Sequence, residues 1–145
     1  MALEPGLSAT FDFTVDEHLI THVGDSITTG VLATPRMIGV MEYTSMQAVW
    51  DALPEGATCV GYEVCVKHVA SAPAGASCTA TATLTEVRDG RKLHFDVRVE
   101  HAGRTIGVGT HERRVIGAAK FEDFNAATAA GERAGASAAA TDDQA

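Results

Sequence analysis

No stretch of this chain approaches the roughly 20 consecutive apolar residues that a membrane-spanning helix needs. Its start, MALEPGLSATFDF, has neither the basic opening nor the apolar core of a secretory signal. The expectation is a globular cytoplasmic protein with no membrane partner. Cysteine is scarce as well. Cys59, Cys65 and Cys78 are odd in number and contain no C-x-x-C pair, which argues against a zinc site or a disulfide framework. They read as small buried fillers. Basic residues are few, and a formal net charge of -8 makes a nucleic-acid partner a poor match for the whole surface. The shortage is uneven. Residues 1–79 hold two basic groups, Arg36 and Lys67, against nine acidic ones, whereas residues 80–116 hold seven against five. The second half is thus able to present a local cationic patch to a small anion, although most of its arginines and lysines read as solvated outward positions of strands.

What the sequence does contain is one organising run, MIGVMEYTSMQAVW, at residues 37–50. It has no proline and a single formal charge, Glu42. No charged stripe recurs at 3.6-residue spacing, so the pattern predicts a helix covered by the rest of the protein. Thr34 and Pro35 suit its start, where a threonine oxygen can accept from an orphan N–H and proline needs no partner. Leu53, Pro54, Glu55 and Gly56 mark its stop. A carboxylate at position 42, with Ile38 one turn before and Met46 one turn after, calls for a function.

Around the helix the chain reads as strands. SATFDFTV alternates, with Phe11, Phe13 and Val15 on one side, and residues 18–32 form a loop with Gly24, Asp25, Ser26 and Gly30. ATCVGYEVCVKHVA is a strand with Val60, Tyr62, Val64, Val66 and His68 on one face, and Gly61 marks a bulge or a close approach. SCTATATLTEVR and RKLHFDVRVEH are joined by Asp89-Gly90, a tight hairpin signal, with Leu93, Phe95, Val97 and Val99 pointing inward. RTIGVGTHERRVI closes the sheet. Residues 125–145 are rich in alanine and lack large apolar side chains, so they are expected to be a disordered tail to a single domain spanning residues 1–124. The resulting class is α+β. A long apolar helix is hidden by a sheet that curves around it, which is the hotdog arrangement of about five antiparallel strands, although the same number of elements also fits other α+β sandwiches. Such a sheet leaves an edge and a helix flank to be covered, so a dimer or larger assembly is expected.

The segments TPRMIGVMEYTSMQAVWDALPEG, CVGYEVCVKHVASAPAG and GTHERRVI, in this order and spacing, resemble the hotdog-fold acyl-CoA thioesterases, in particular the fluoroacetyl-CoA thioesterase-like group. The resemblance covers residues 30–124. It implies catalytic roles for Thr34, Glu42 and His68, a backbone N–H of Gly61 on the thioester carbonyl, and Arg113 beside the polar end of the substrate. It also implies an acyl-CoA substrate and no cofactor beyond the coenzyme A of that substrate; the assembly expected from the sheet edge is a homodimer or larger. In the fluoroacetyl-specific enzyme the segment before the threonine carries aromatic residues that lid the acyl group. Here DSITTGVLAT has none, only Ile27, Val31 and Leu32, so fluoroacyl selectivity does not carry over and an ordinary small or medium acyl-CoA is expected.

The chemistry is consistent with those residue types. Thioester hydrolysis requires attack on the carbonyl carbon or activation of water there, a donor for the developing oxyanion, and a proton for the thiolate. Glu42 suits the first task, Gly61 the second, and His68, oriented by Thr34, the proton traffic. His111 falls where neighbouring positions alternate outward and reads as structural. His18, His22, His94 and His101 carry no spacing signal. Two alternatives remain: a non-catalytic acyl-CoA-binding module, and a hotdog hydratase or dehydratase, whose site would pair an acid with a histidine that this helix lacks.

Overall fold

The structure is a computed structural model; it describes residues 1–25 and 28–142, with side chains described through residue 132. The elements run β1 (Ser8–Thr14), β2 (Ile20–Thr21), β3 (Val31–Leu32), α1 (Thr34–Val49), a short 3-10 turn (Trp50–Ala52), β4 (Ala57–His68), β5 (Ser77–Arg88), β6 (Lys92–His101), β7 (Arg104–Gly117) and α2 (Ala118–Asp142). β1, β5, β6, β7 and β4, in that order, form one antiparallel sheet. The two hairpins that join β5 to β6 and β6 to β7 turn at Asp89-Gly90 and Ala102-Gly103, where φ is positive at all four residues. Two consecutive left-handed residues match the twist of the flanking strands, which is why these dipeptides end the alternation so abruptly.

α1 lies against β5, β1 and β6. Ala80 and Ala82 of β5 and Leu93, Phe95, Val97 and Val99 of β6 are buried beneath Met37, Met41 and Val49 of the helix. Small residues let the helix approach closely. At Gly107 of β7, the ends of Met37 and Met41 already occupy the space a Cβ would take. The hotdog arrangement is therefore as the pattern predicts. The burial of α1 is not all-round, however. Tyr43 is 45% exposed and Trp50 53%, and Arg36, Gly39 and Gln47 are exposed with them. A sheet of five strands covers one flank of the helix, and the other flank, which mixes Tyr43 with Arg36, Glu42 and Gln47, is uncovered in the single chain.

β4 is an edge strand and carries an irregularity next to the site. Gly61 pairs with Arg113, but the next registered pair is Glu63 with Glu112, so Tyr62 is the extra residue of a bulge. Gly61 thus marks a bulge, as its position in the strand suggests. The inner face correspondingly changes from odd to even positions. Cys59 and Gly61 share it with Val64, Val66 and His68, while Tyr62 turns outward and lies under the Arg114 guanidinium, 3.7 Å from its ring centroid. Val60 and Tyr62 do not belong to that face, contrary to simple alternation.

The loop before α1 contains the small β2–β3 hairpin; Leu32 is buried in the core and Val31 bridges to Pro73. Ile27, named above as a neighbour of the acyl site, lies outside the described residues. After β7 the chain does not become a disordered tail at residue 125 but continues as α2 to Asp142. Alanine has the highest helix propensity of the residue types, and its density here is the physical reason. The missing large apolar residues show in another way: Phe121 and Phe124 are the only large apolar side chains in its described part, and both are exposed. Among the three cysteines, Cys59 and Cys78 are buried and Cys65 is exposed on β4.

Candidate active site

Two clusters hold the residues singled out by sequence. The first sits at the start of α1. Ala33 is the N-cap, in an extended conformation and without a side-chain capping bond, and Pro35 occupies the first turn. Thr34 therefore does not cap the helix. Its hydroxyl lies 2.8 Å from Nδ1 of His68, which ends β4. The other ring nitrogen, Nε2, is buried and has no partner among the described residues. A cleft of about 370 Å³ opens here, lined by Thr34, His68 and the backbone-rich segments 31–32 and 69–71.

Burial pushes the His68 imidazole below its ordinary value, with a backbone contact from Ala70 opposing. Burial also lowers His111, reinforced by the Arg113 charge and opposed by its bond to Glu63 and by Glu42. Both rings are consequently neutral at pH 7. The unfolded chain gains these protons at about pH 6.5 and the folded chain only at lower pH. Stability present above pH 6.5 is then lost as pH falls through the lowered folded values. Thermal unfolding followed from about pH 8 to pH 5 should show Tm level above about pH 7 and declining below about 6.5. A Tm that rises on acidification through that window would contradict the burial of these rings.

The second cluster lies one helical stretch away. Glu42 is on the flank of α1 that faces Gly61, and its Oε2 stands 2.9 Å from where a Cβ on residue 61 would be. Only glycine leaves that space. The carboxylate is not sunk in the core: its side chain is 40% exposed, because the helix flank carrying it is the uncovered one. Arg113, by contrast, is buried. Its Nε donates to Sγ of Cys59 (3.2 Å) and its Nη2 to the Cys59 carbonyl (2.9 Å). Nη1 lies 3.7 Å from Glu42 Oε2, beyond a hydrogen bond but within ion-pair reach. His111, read above as structural and outward, is in fact buried on the inner face with Arg113 and stacks near Phe95. Strict alternation predicts this once the strand is phased from Gly107 and Gly109; the run of polar residues in THERR concealed the phase.

Thr34 and His68 are brought together, as are Glu42, Gly61 and Arg113. The two groups are not brought together within one chain. Thr34 and Glu42 are eight residues apart on α1, about 12 Å of helix rise. No hydrogen bond or ion pair among the described residues joins the two groups.

The profile of the fluoroacetyl-CoA-specific thioesterase family, FlK, matches residues 15–119, which include both clusters. The chain belongs to this family. A fluoroacetyl-CoA thioesterase of Streptantibioticus cattleyicolor is 41% identical over 96 residues, a match that takes in 66% of this chain and 66% of that protein. The solved structure of the fluoroacetyl-CoA thioesterase FlK superposes with a TM-score of 0.76 at 33% identity, covering 85% of this chain and 95% of that one. A threonine-to-serine variant of FlK in complex with acetyl-CoA gives 0.78 at 32% identity, covering 87% of this chain and 98% of the other. A Thermus thermophilus protein described as a thioesterase superfamily member gives 0.80 at 25% identity, with 90% and 96% covered. Membership of the FlK family places the two clusters in a hotdog thioesterase scaffold.

Proposed function

We propose that this protein is an acyl-CoA thioesterase that hydrolyses a small or medium acyl-CoA to the carboxylate and free coenzyme A. The observation that carries the reading is the half-exposed Glu42 carboxylate set directly over Gly61, a base or nucleophile beside a strand backbone with no side chain between them. Glu42 either attacks the carbonyl carbon, giving an acyl anhydride that water then hydrolyses to the product acid and free Glu42, or takes a proton from the water that attacks. The Gly61 N–H donates to the oxyanion that forms on attack and collapses to a carbonyl as the C–S bond breaks. Thr34 and neutral His68 handle the proton that the departing thiolate finally carries. Arg113 keeps positive charge beside Glu42 and the polar end of the substrate. No cofactor enters this scheme.

A homodimer completes the site. Support comes from the uncovered flank of α1, where Tyr43 is exposed, from the free edge of β4, and from the separation of the two clusters in one chain. A two-fold partner that covers both surfaces would bring its own Thr34–His68 pair toward Glu42. The cytoplasm, where acyl-CoA esters are formed and used, is the fitting location. Selectivity for fluoroacetyl-CoA is not part of the proposal, since the segment before Thr34 has no aromatic residue and Leu32 is committed to the core.

The test is a panel of acyl-CoA esters, from acetyl to decanoyl and including fluoroacetyl, followed by thiol release. The expected result is turnover with an ordinary acyl-CoA and no more than about a tenfold preference for the fluorinated ester, which a small pocket difference can supply. Tight binding of acyl-CoA without thiol release across the panel would favour the binding-module alternative.

A further inference from the structure

The residue that sequence reading set aside has the most constrained hydrogen bonding in the site. His111 lies between two partners, neither of which can change its role. Its Nδ1 is 2.8 Å from the carbonyl oxygen of Glu63, which only accepts, so Nδ1 carries a proton. Its Nε2 is 3.2 Å from Nη1 of Arg113, which only donates, so Nε2 presents a lone pair. A single state of the ring satisfies both: neutral, with the proton on Nδ1. The same Nη1 is the guanidinium nitrogen nearest Glu42.

We infer that His111 is a positioning residue for the hydrolysis proposed above, a fixed hydrogen-bond acceptor that aims the Arg113 guanidinium at Glu42. The order of contacts is Glu63 carbonyl, His111, Arg113, Glu42, running from the β4 bulge across β7 to the helix. Cys59 anchors the opposite edge of the guanidinium through its carbonyl and sulfur. Without the His111 acceptor, Arg113 is held at that edge alone and its Nη1 is free to turn from the carboxylate. The charged groups facing the ring are Arg113 from β7 and Glu42 from α1; β6 presents Phe95 and β4 the Glu63 backbone. Burial holds the ring below its ordinary titration range, in keeping with a permanently neutral acceptor. Protonation would place a second N–H against the guanidinium and break the relay.

Two substitutions separate aiming from mere filling. In His111→Gln the amide reaches the position of Nε2 and offers Arg113 an acceptor; in His111→Asn it reaches only that of Nδ1, keeping the Glu63 bond and losing Arg113. With the dimer and Tm of each variant checked first, the Asn variant is expected to lose about 10- to 100-fold in kcat with KM within about threefold. The Gln variant should recover most of that loss, because a buried donor left without its acceptor is the costly outcome. Equal activity of the two, or a more active Asn variant, overturns the inference. Ring ¹⁵N shifts of the wild-type protein give a second measurement that needs no substrate. A neutral ring protonated at Nδ1 and persisting below pH 6.5 supports the relay, whereas an Nε2–H ring or an imidazolium at pH 7 refutes it. If no acyl-CoA is hydrolysed, the function fails, while the shifts still test the relay by themselves.

Discussion

Replacing Glu42 by glutamine is expected to lower kcat for thiol release by about 10³-fold, within the 10²–10⁴ range of a positioned base or nucleophile. The substitution keeps the length and nearly the volume of the side chain and removes only the charge and the basic lone pair. Glu42 is 40% exposed and its contact with Arg113 is 3.7 Å, so the lost ion pair is worth little to the fold. Tm should stay within a few degrees of the wild type, and the sedimentation profile should be unchanged. KM should change by less than about threefold, because the interaction removed belongs mainly to the transition state. Thiol release at saturating acyl-CoA, with circular dichroism and sedimentation as controls, decides the matter. A variant that keeps more than about a tenth of the wild-type kcat would remove Glu42 from the chemistry.

Gly61→Ala tests the same geometry from the opposite side. The added methyl would lie 2.9 Å from Glu42 Oε2 and 3.6 Å from Cε1 of His111. The first distance is too short for a real Cβ contact, but the atom that must move is the end of a flexible side chain. The backbone at Gly61 is not in the left-handed region, so alanine introduces no strain there. Alanine also restricts the unfolded chain more than glycine does, which favours the fold by about 0.4–1 kcal/mol. The expected result is a protein at least as stable as the wild type whose kcat has fallen by about 10²-fold, since displacement of a reacting group by 1 Å costs that much. Full activity would mean that Glu42 does not need its present position. A collapse of Tm would mean instead that Gly61 serves the fold.

The β5–β6 hairpin was legible because its turn dipeptide and alternating strands express local physics. The inward face of β6, Leu93, Phe95, Val97 and Val99, is buried as the alternation requires. The helix was legible as an element but not in its exposure. A run with so few charges looks the same in sequence whether the chain covers all of its faces or leaves one open, and Tyr43 and Trp50 lie on the open side. Thr34 was ambiguous between cap and site, since both uses call for a hydroxyl; only the 2.8 Å contact with His68 separates them. His111 was missed because the phase of β7 depends on which positions meet Met37 and Met41, a tertiary fact carried by Gly107. The fate of residues 125–142 turned on alanine content weighed against the lack of docking residues, and local helix propensity prevailed over that prior.

Gly61 and His68 are seven positions apart, an odd number, and in an unbroken strand they would look toward opposite sides of the sheet. The supernumerary residue at position 62 restores their parity. What the geometry requires of that position is its presence in the count, since the aromatic ring of Tyr62 points away, under Arg114. Shortening the segment by one would leave every functional side chain in the sequence and turn one end of the strand inside out.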